Sequence, residues 1–169
     1  VSAQPVDRPA KVVTVLASDK SLDLALLGSV FAGTGSARFR APGGVSVGER
    51  IAIVGYPLHG RSTIKPIYRI GSVIEPALRV SPVYRRYQVR IDVRRGNSGG
   101  PVIDATGLVV GVISAKVNTP VAYRTTGRLI RDVGVAIDPG SVRDFLQQNE
   151  VPFRAAEARG YIAQLTCWH

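Results

Sequence analysis

Short runs of Val, Ile and Leu recur along this sequence between clusters of Gly, Pro, Ser and Asp, and most alternate with polar residues rather than following a helical stripe. Alternation over a few residues marks a half-buried strand, and turn residues mark its ends. Residues 10–17 predict one strand, and residues 22–27 a second after the polar turn 18–21. Asp23 interrupts that second run, and an acid inside an apolar strand needs a reason. Further strands are predicted over 50–56, closed by Pro57, over 63–74 and over 87–93. Residues 101–104 and 108–117 predict a hairpin joined by the turn Asp104-Ala-Thr-Gly107, and 133–137 a buried strand. A short helix is expected next: Ser141 follows Pro139-Gly140 as N-cap, Val142, Phe145 and Leu146 space one apolar face, and the helix ends near Asn149. Beyond Pro152, residues 154–159 hold helix formers and 161–168 look strand-like.

Many short strands punctuated by 18 glycines and 11 prolines predict an all-β protein, a barrel or a sandwich. A length of 169 residues with 45% hydrophobic and 20% charged residues suits one domain with a sizeable core, and no internal repeat or low-complexity linker divides it. No stretch approaches the roughly 18 to 20 apolar residues that a membrane span needs, and no export-leader pattern opens the chain. The net charge of +10 raises the question of an anionic partner. The arginines are spread singly, however, with adjacent pairs only at Arg85-Arg86 and Arg94-Arg95, so no specific nucleic-acid site is expected. The single Cys167 has no partner within the chain for a disulfide.

Arg95-Gly96-Asn97-Ser98-Gly99-Gly100-Pro101 carries the most chemical information, because it sets a hydroxyl between glycines in a tight turn flanked by strands. Glycine admits positive φ and close approach of a carbonyl, and backbone N–H groups of such a turn can face a developing oxyanion. Taken alone, the spacing also fits an ordinary Gly-rich hairpin loop.

The motif from Gly96 to Pro101 resembles the nucleophile motif of trypsin-fold serine proteases, in the Asn-containing form usual in the bacterial HtrA-like branch. Asp23-Leu24-Ala25-Leu26-Leu27 resembles the strand of the triad acid, and Gly55-Tyr56-Pro57 a strand end of the family. Gly107 to Ser114 resembles the strand pair after the nucleophile, and Gly134-Val135-Ala136-Ile137 the closing strand before a C-terminal helix. The resemblance covers roughly residues 10–148. It implies an all-β, trypsin-like double β-barrel: residues 1–50 the remainder of an incomplete first barrel, 51–138 the second barrel, and 139–169 a short C-terminal helix and tail. It implies Ser98 as nucleophile, Asp23 as the carboxylate that orients a histidine, and the N–H groups of Gly96 and Ser98 as oxyanion hole. The substrate pocket would comprise Asp92, Val112, Ile113, Ser114, Ala115, Gly134, Val135 and Ala136. Asp92 at the pocket base would favour Arg or Lys, whereas the small apolar wall would suit a modest hydrophobic side chain. Asp92 can equally pair with Arg90 or Arg94 on a strand face.

A serine hydroxyl needs a base, which in this mechanism is a histidine placed before the acid. None of residues 1–22 is His; the chain has only His59, expected in a solvated loop, and the terminal His169. The expectation is a serine endopeptidase by family whose chain here is a fragment, inactive alone, with its histidine and first-barrel strands upstream. The alternative is a catalytically inactive protease-fold module that binds peptides. The expected partner is a peptide or unfolded protein, with no metal or cofactor. HtrA-like relatives are commonly exported to the bacterial periplasm, but no residue here places this chain in a compartment.

Overall fold

The computed structural model describes residues 2–4, 11–28, 37–41, 43–56, 66–79, 85–127, 129–151 and 164–166. Its centre is a closed six-stranded barrel of β5 (Arg50–Gly55), β6 (Ile67–Arg79), β7 (Arg85–Arg90), β8 (Pro101–Asp104), β9 (Val109–Lys116) and β10 (Val133–Ile137), in the order β10-β7-β6-β5-β8-β9. Every neighbouring pair is antiparallel. Closure leaves no barrel strand with a bare edge along its whole length. Alternate residues point inward: Ile51, Ile53, Val73, Tyr87, Val89, Val102, Val110, Ile113 and Ala136 form one buried cluster, while Arg50 and Arg90 face out.

The N-terminal strands β1 (Ser2–Gln4), β2 (Lys11–Val12), β3 (Val15–Asp19) and β4 (Leu24–Leu27) build no second closed barrel among the described residues. β3 and β4 form a two-stranded sheet, and β11 (Gln164–Thr166) returns to pair with β1 in a three-stranded one. A closed barrel with further small sheets beside it is the trypsin-like barrel fold that the sequence resemblance implies.

Several local expectations shift. The strand expected over 10–17 is broken between β2 and β3, and β6 runs five residues past the expected end at Ile74, to Arg79. Its register slips between Glu75 and Leu78, where Pro76 has no N–H to give the ladder. The C-terminal helix α2 (Pro139–Gln148) begins a turn earlier than expected, because Asp138, not Ser141, is the N-cap and accepts from the Gly140 N–H at 2.8 Å. Ser141 lies inside the helix, 4% exposed, where its hydroxyl accepts from the Arg85 N–H. A helix absent from the sequence reading, α1 (Thr119–Thr126), joins β9 to β10. It buries no side chain, so it has no apolar stripe to read, but its signals were present: Asn118 as N-cap, Pro120 in the first turn and Gly127 as left-handed C-cap.

Segment 37–41 is tied to the barrel at the start of β9. Arg40 N–H donates to Val109 O at 3.0 Å, and the Val109 N–H to Arg38 O at 2.8 Å. The Arg40 guanidinium bridges Glu49 and Asp104, the latter at 3.4 Å. Burial acts to raise both carboxyls, but the Arg40 hydrogen bond and the Ser46 N–H at Glu49, and the Thr106 and Leu108 donors at Asp104, outweigh it and hold both below their ordinary values. Carboxyls lowered on folding stabilise the fold above their ordinary pKa, and that contribution is lost as pH falls through the lowered values. Arg40→Ala is therefore expected to cost about 2 kcal/mol near neutral pH, discounting a buried pair for partial exposure. Urea unfolding at a series of pH values should show the gap from the unmutated chain narrowing below about pH 4.

Candidate active site

The turn from Gly96 to Pro101 that carries Ser98 is stapled at both ends. On its N-terminal side the Asn97 N–H donates to Arg94 O at 3.0 Å, while Asn97 Oδ1 accepts from the Arg94 N–H at 2.9 Å. Asn97 is 1% exposed, and its amide packs so closely on the end of β5 that a Cβ at Gly55 would lie 2.7 Å from Nδ2. Gly96 O accepts from the Tyr56 N–H at 3.1 Å. On the other side the Gly99 N–H donates to Ile113 O at 2.7 Å, and the Ile113 N–H to Gly100 O at 2.9 Å, which ties the turn to β9. Gly96 and Gly99 take φ of +90° and +80°, which side-chain-bearing residues adopt only with strain. Ser98 is thereby held exposed between β5 and β9. Among the described residues the N–H groups of Gly96 and Ser98 donate no hydrogen bond, so both are available to an outside acceptor.

Asp23 is not inside a strand, as the apolar run suggested, but in the turn before β4 at φ +62°, a left-handed conformation that Asp tolerates better than most residues. That turn carries the carboxylate out of the N-terminal hairpin to the barrel. There Asp23 Oδ2 accepts from Ser114 Oγ at 2.7 Å, a contact spanning 91 residues of sequence. Ser98 Oγ in turn donates to Ser114 O at 3.2 Å. One residue of β9 thus touches both sequence-predicted catalytic residues and brings them together. Ser114 was expected only as pocket wall; its neighbours in sequence gave no sign of the Asp23 contact, which depends on how the hairpin docks.

The remaining pocket candidates divide. Ser114 and Val135 are half-buried and Ala115 exposed, beside the turn, and Val112 is half-buried further back along β9. Ile113 and Ala136 lie in the barrel core, 1% and 0% exposed. Gly134 is covered: a Cβ there would lie 2.6 Å from Val93 Cγ2 and 3.2 Å from Val89 Cγ2. Asp92 is engaged within the chain. Its carboxylate meets Arg94 Nε at 2.7 Å, Arg69 Nη1 at 3.5 Å and Lys116 Nζ at 3.7 Å. Burial acts to raise this carboxyl, but the Arg94 hydrogen bond and the three positive charges outweigh it and keep it below the ordinary carboxylate value. Of the partners foreseen for a strand-face acid, Arg94 is the one used; Arg69 and Lys116 arrive by cross-strand register, which the linear sequence does not display. His59, His169 and Cys167 lie outside the described residues.

A closed barrel carrying a stapled Gly-Asn-Ser-Gly-Gly turn, with a carboxylate delivered to it from an N-terminal hairpin, defines a trypsin-like peptidase. The chain belongs to that family: the model of the trypsin-like peptidase domain matches residues 1–112. Among curated proteins it is similar to serine protease Rv3671c of Mycobacterium tuberculosis strain H37Rv, 34% identical over 117 residues that cover 63% of this chain and 28% of that protein. It is also similar to the uncharacterized protein y4bJ of Sinorhizobium fredii, 31% identical over 183 aligned positions that cover 98% of this chain and again 28% of the relative. Among solved structures, the active form of the Rv3671c protease superposes with a TM-score of 0.65 at 25% identity, covering 90% of this chain and 63% of that one. The inactive form gives 0.61 at 25% identity, over 80% and 65%. The chain spans little more than a quarter of the length of these curated relatives.

Proposed function

We propose that this chain carries the nucleophile and the orienting carboxylate of a serine endopeptidase that hydrolyses peptide bonds through an acyl-enzyme at Ser98, acting on peptides or unfolded proteins. The observation that carries the reading is the hydrogen-bonded sequence from Asp23 through Ser114 to Ser98, across two parts of the fold. Beyond Ile113, whose backbone is bonded to the Ser98 turn, β9 has no strand partner on its β8 side among the described residues, so an extended peptide can add there beside Ser98. Ser98 Oγ attacks the peptide carbonyl as a histidine takes its proton, and the N–H groups of Gly96 and Ser98 hold the oxyanion. The histidinium, stabilised by Asp23, protonates the leaving amine, and water then cleaves the acyl-enzyme with the same histidine as base.

In this proposal the histidine comes from polypeptide outside these 169 residues, since none of residues 1–22 can supply it. A fluorophosphonate tests this, because it labels only a serine activated by a base. The product of the whole reading frame is expected to be labelled at Ser98, Ser98→Ala to abolish labelling, and the 169-residue chain alone to react at least about a thousandfold more slowly. Equal labelling of the 169-residue chain would place the base within it. Saturable peptide binding without any labelling of the whole product would make the protein a peptide-binding module instead.

A further inference from the structure

We propose that the peptide site beside Ser98 selects an acidic side chain, Glu or Asp, on the acyl side of the scissile bond, and that Lys116 is the residue that reads it. The inference rests on the peptide-hydrolase reading above and gives that site a substrate class. An acid six residues before the nucleophile invites the opposite expectation, a preference for Arg or Lys. The structure removes the basis for it, because Asp92 already has Arg69, Arg94 and Lys116 around its carboxylate. A basic side chain entering there would be a fourth cation at a carboxylate that has three, and would meet their repulsion before its attraction.

The same geometry favours an anion. Asp132 approaches Lys116 at 3.9 Å, so three cations face two carboxylates and the cluster carries a net positive charge of one. Exposed Arg95, between Arg94 and the nucleophile turn, adds to that field. Within the cluster the cations are held unequally. Arg94 is bound to Asp92 at hydrogen-bond distance, 2.7 Å. Lys116 stands 3.7 Å from Asp92 and 3.9 Å from Asp132, both longer than a hydrogen bond, with its side chain 43% exposed. A flexible ammonium shared between two carboxylates at that range can turn to a third at little cost. It is also in place to do so. Lys116 lies two residues beyond Ser114 on β9, roughly 7 Å along the strand from the carbonyl that accepts from Ser98 Oγ. Both residues belong to the stretch of β9 that has no strand partner on its β8 side among the described residues. A peptide laid there with its reacting carbonyl at Ser98 has Lys116 and Asp92 within reach of its side chain, and its carboxylate replaces Asp92 as the partner of Lys116.

The test uses product-like peptides, which need no catalytic base to bind. N-acetylated tetrapeptides differing only in a C-terminal Glu, Gln or Lys are titrated into the 169-residue chain, with affinities from calorimetry and the site from backbone amide shifts at residues 96–100. Glu is expected to bind about fivefold tighter than Gln, the worth of a partly exposed ion pair, and Lys more weakly than Gln. Lys116→Ala is expected to erase the Glu–Gln difference, Lys116→Glu to reverse the order of Glu and Lys, and Asp92→Asn to widen the preference for Glu by removing the internal competitor. Binding at residues 96–100 that ignores the charge of the last side chain, or survives Lys116→Ala with its preference intact, overturns the acidic selectivity and leaves the hydrolase reading standing. If none of the peptides shifts those amides, the peptide site itself falls and this selectivity with it.

Discussion

On the proposed serine-endopeptidase mechanism, Asp23→Asn is expected to lower kcat/KM for peptide hydrolysis by the product of the whole reading frame roughly ten-thousandfold, with almost no change in its melting temperature. The substitution is chosen because it spares what holds the turn. Asn is as tolerant as Asp of the left-handed φ of +62° at this position, and its amide oxygen can still accept from Ser114 Oγ as the carboxylate does at 2.7 Å. What it removes is the negative charge and the second acceptor, and with them the ability, on the proposed mechanism, to hold a histidine as the tautomer whose free nitrogen faces Ser98 and to stabilise it once protonated. Circular dichroism melts alongside steady-state kinetics separate the two roles. If activity stays within about tenfold, Asp23 is only a turn residue that ties the hairpin to β9, and the orienting group must be sought elsewhere.

The same residue shows what the sequence disclosed and what it withheld. Asp23 could be singled out because an acid broke an apolar run, and Ser98 because glycines set a hydroxyl in a tight turn between strands, a pattern that by itself also fits an ordinary hairpin loop. Those are local signals, and the family resemblance rested on several of them in the right order. The barrel strands were legible for the same reason, as period-two alternation survives in one dimension. Contacts made only when distant strands align were not legible: Ser114 against Asp23, Arg69 and Lys116 against Asp92, Arg40 against Glu49 and Asp104. Such partners depend on register and docking, so an acid six residues before a nucleophile looks the same in sequence whether it is open to a basic side chain or already saturated. Helix α1 escaped because the usual signal is an apolar stripe, and a helix that buries nothing has none. Ile113 and Ala136 illustrate the converse: on adjacent strands, neighbours of a pocket residue alternate into the core, and spacing alone does not say which member of an alternating pair faces out.

Tyr87 joins the stability of the barrel to the geometry of the site, and Tyr87→Ala is expected to destabilise the fold by about 4 kcal/mol, a fall of roughly 10 °C in Tm. Its side chain is 0% exposed at the centre of β7, and its hydroxyl crosses the barrel interior to donate to Val110 O at 2.8 Å. Burial, with the charges of Asp138 and Glu49 adding to it, pushes the phenol far above its ordinary pKa, so it remains a protonated donor throughout the working range. β9 is shaped to receive it: a Cβ at Gly111 would lie 2.4 Å from the Tyr87 oxygen and 2.9 Å from Cε1. Tyr87→Phe keeps the ring but leaves the buried Val110 carbonyl without this donor, for an expected loss of about 1 to 2 kcal/mol. Urea unfolding of the two variants separates hydroxyl from ring; equal losses would mean that the ring contributes nothing beyond its hydrogen bond. The consequence reaches the chemistry through both strands that Tyr87 spans. β7 leads directly into Asp92 and the turn that carries Ser98, and β9 carries Ser114 between Asp23 and Ser98. A cavity at Tyr87 is therefore expected to loosen β9, which holds the Ser98 turn through Ile113 and supplies the Ser114 carbonyl to Ser98 Oγ, and amide exchange at residues 96–100 should quicken in Tyr87→Ala more than in Tyr87→Phe.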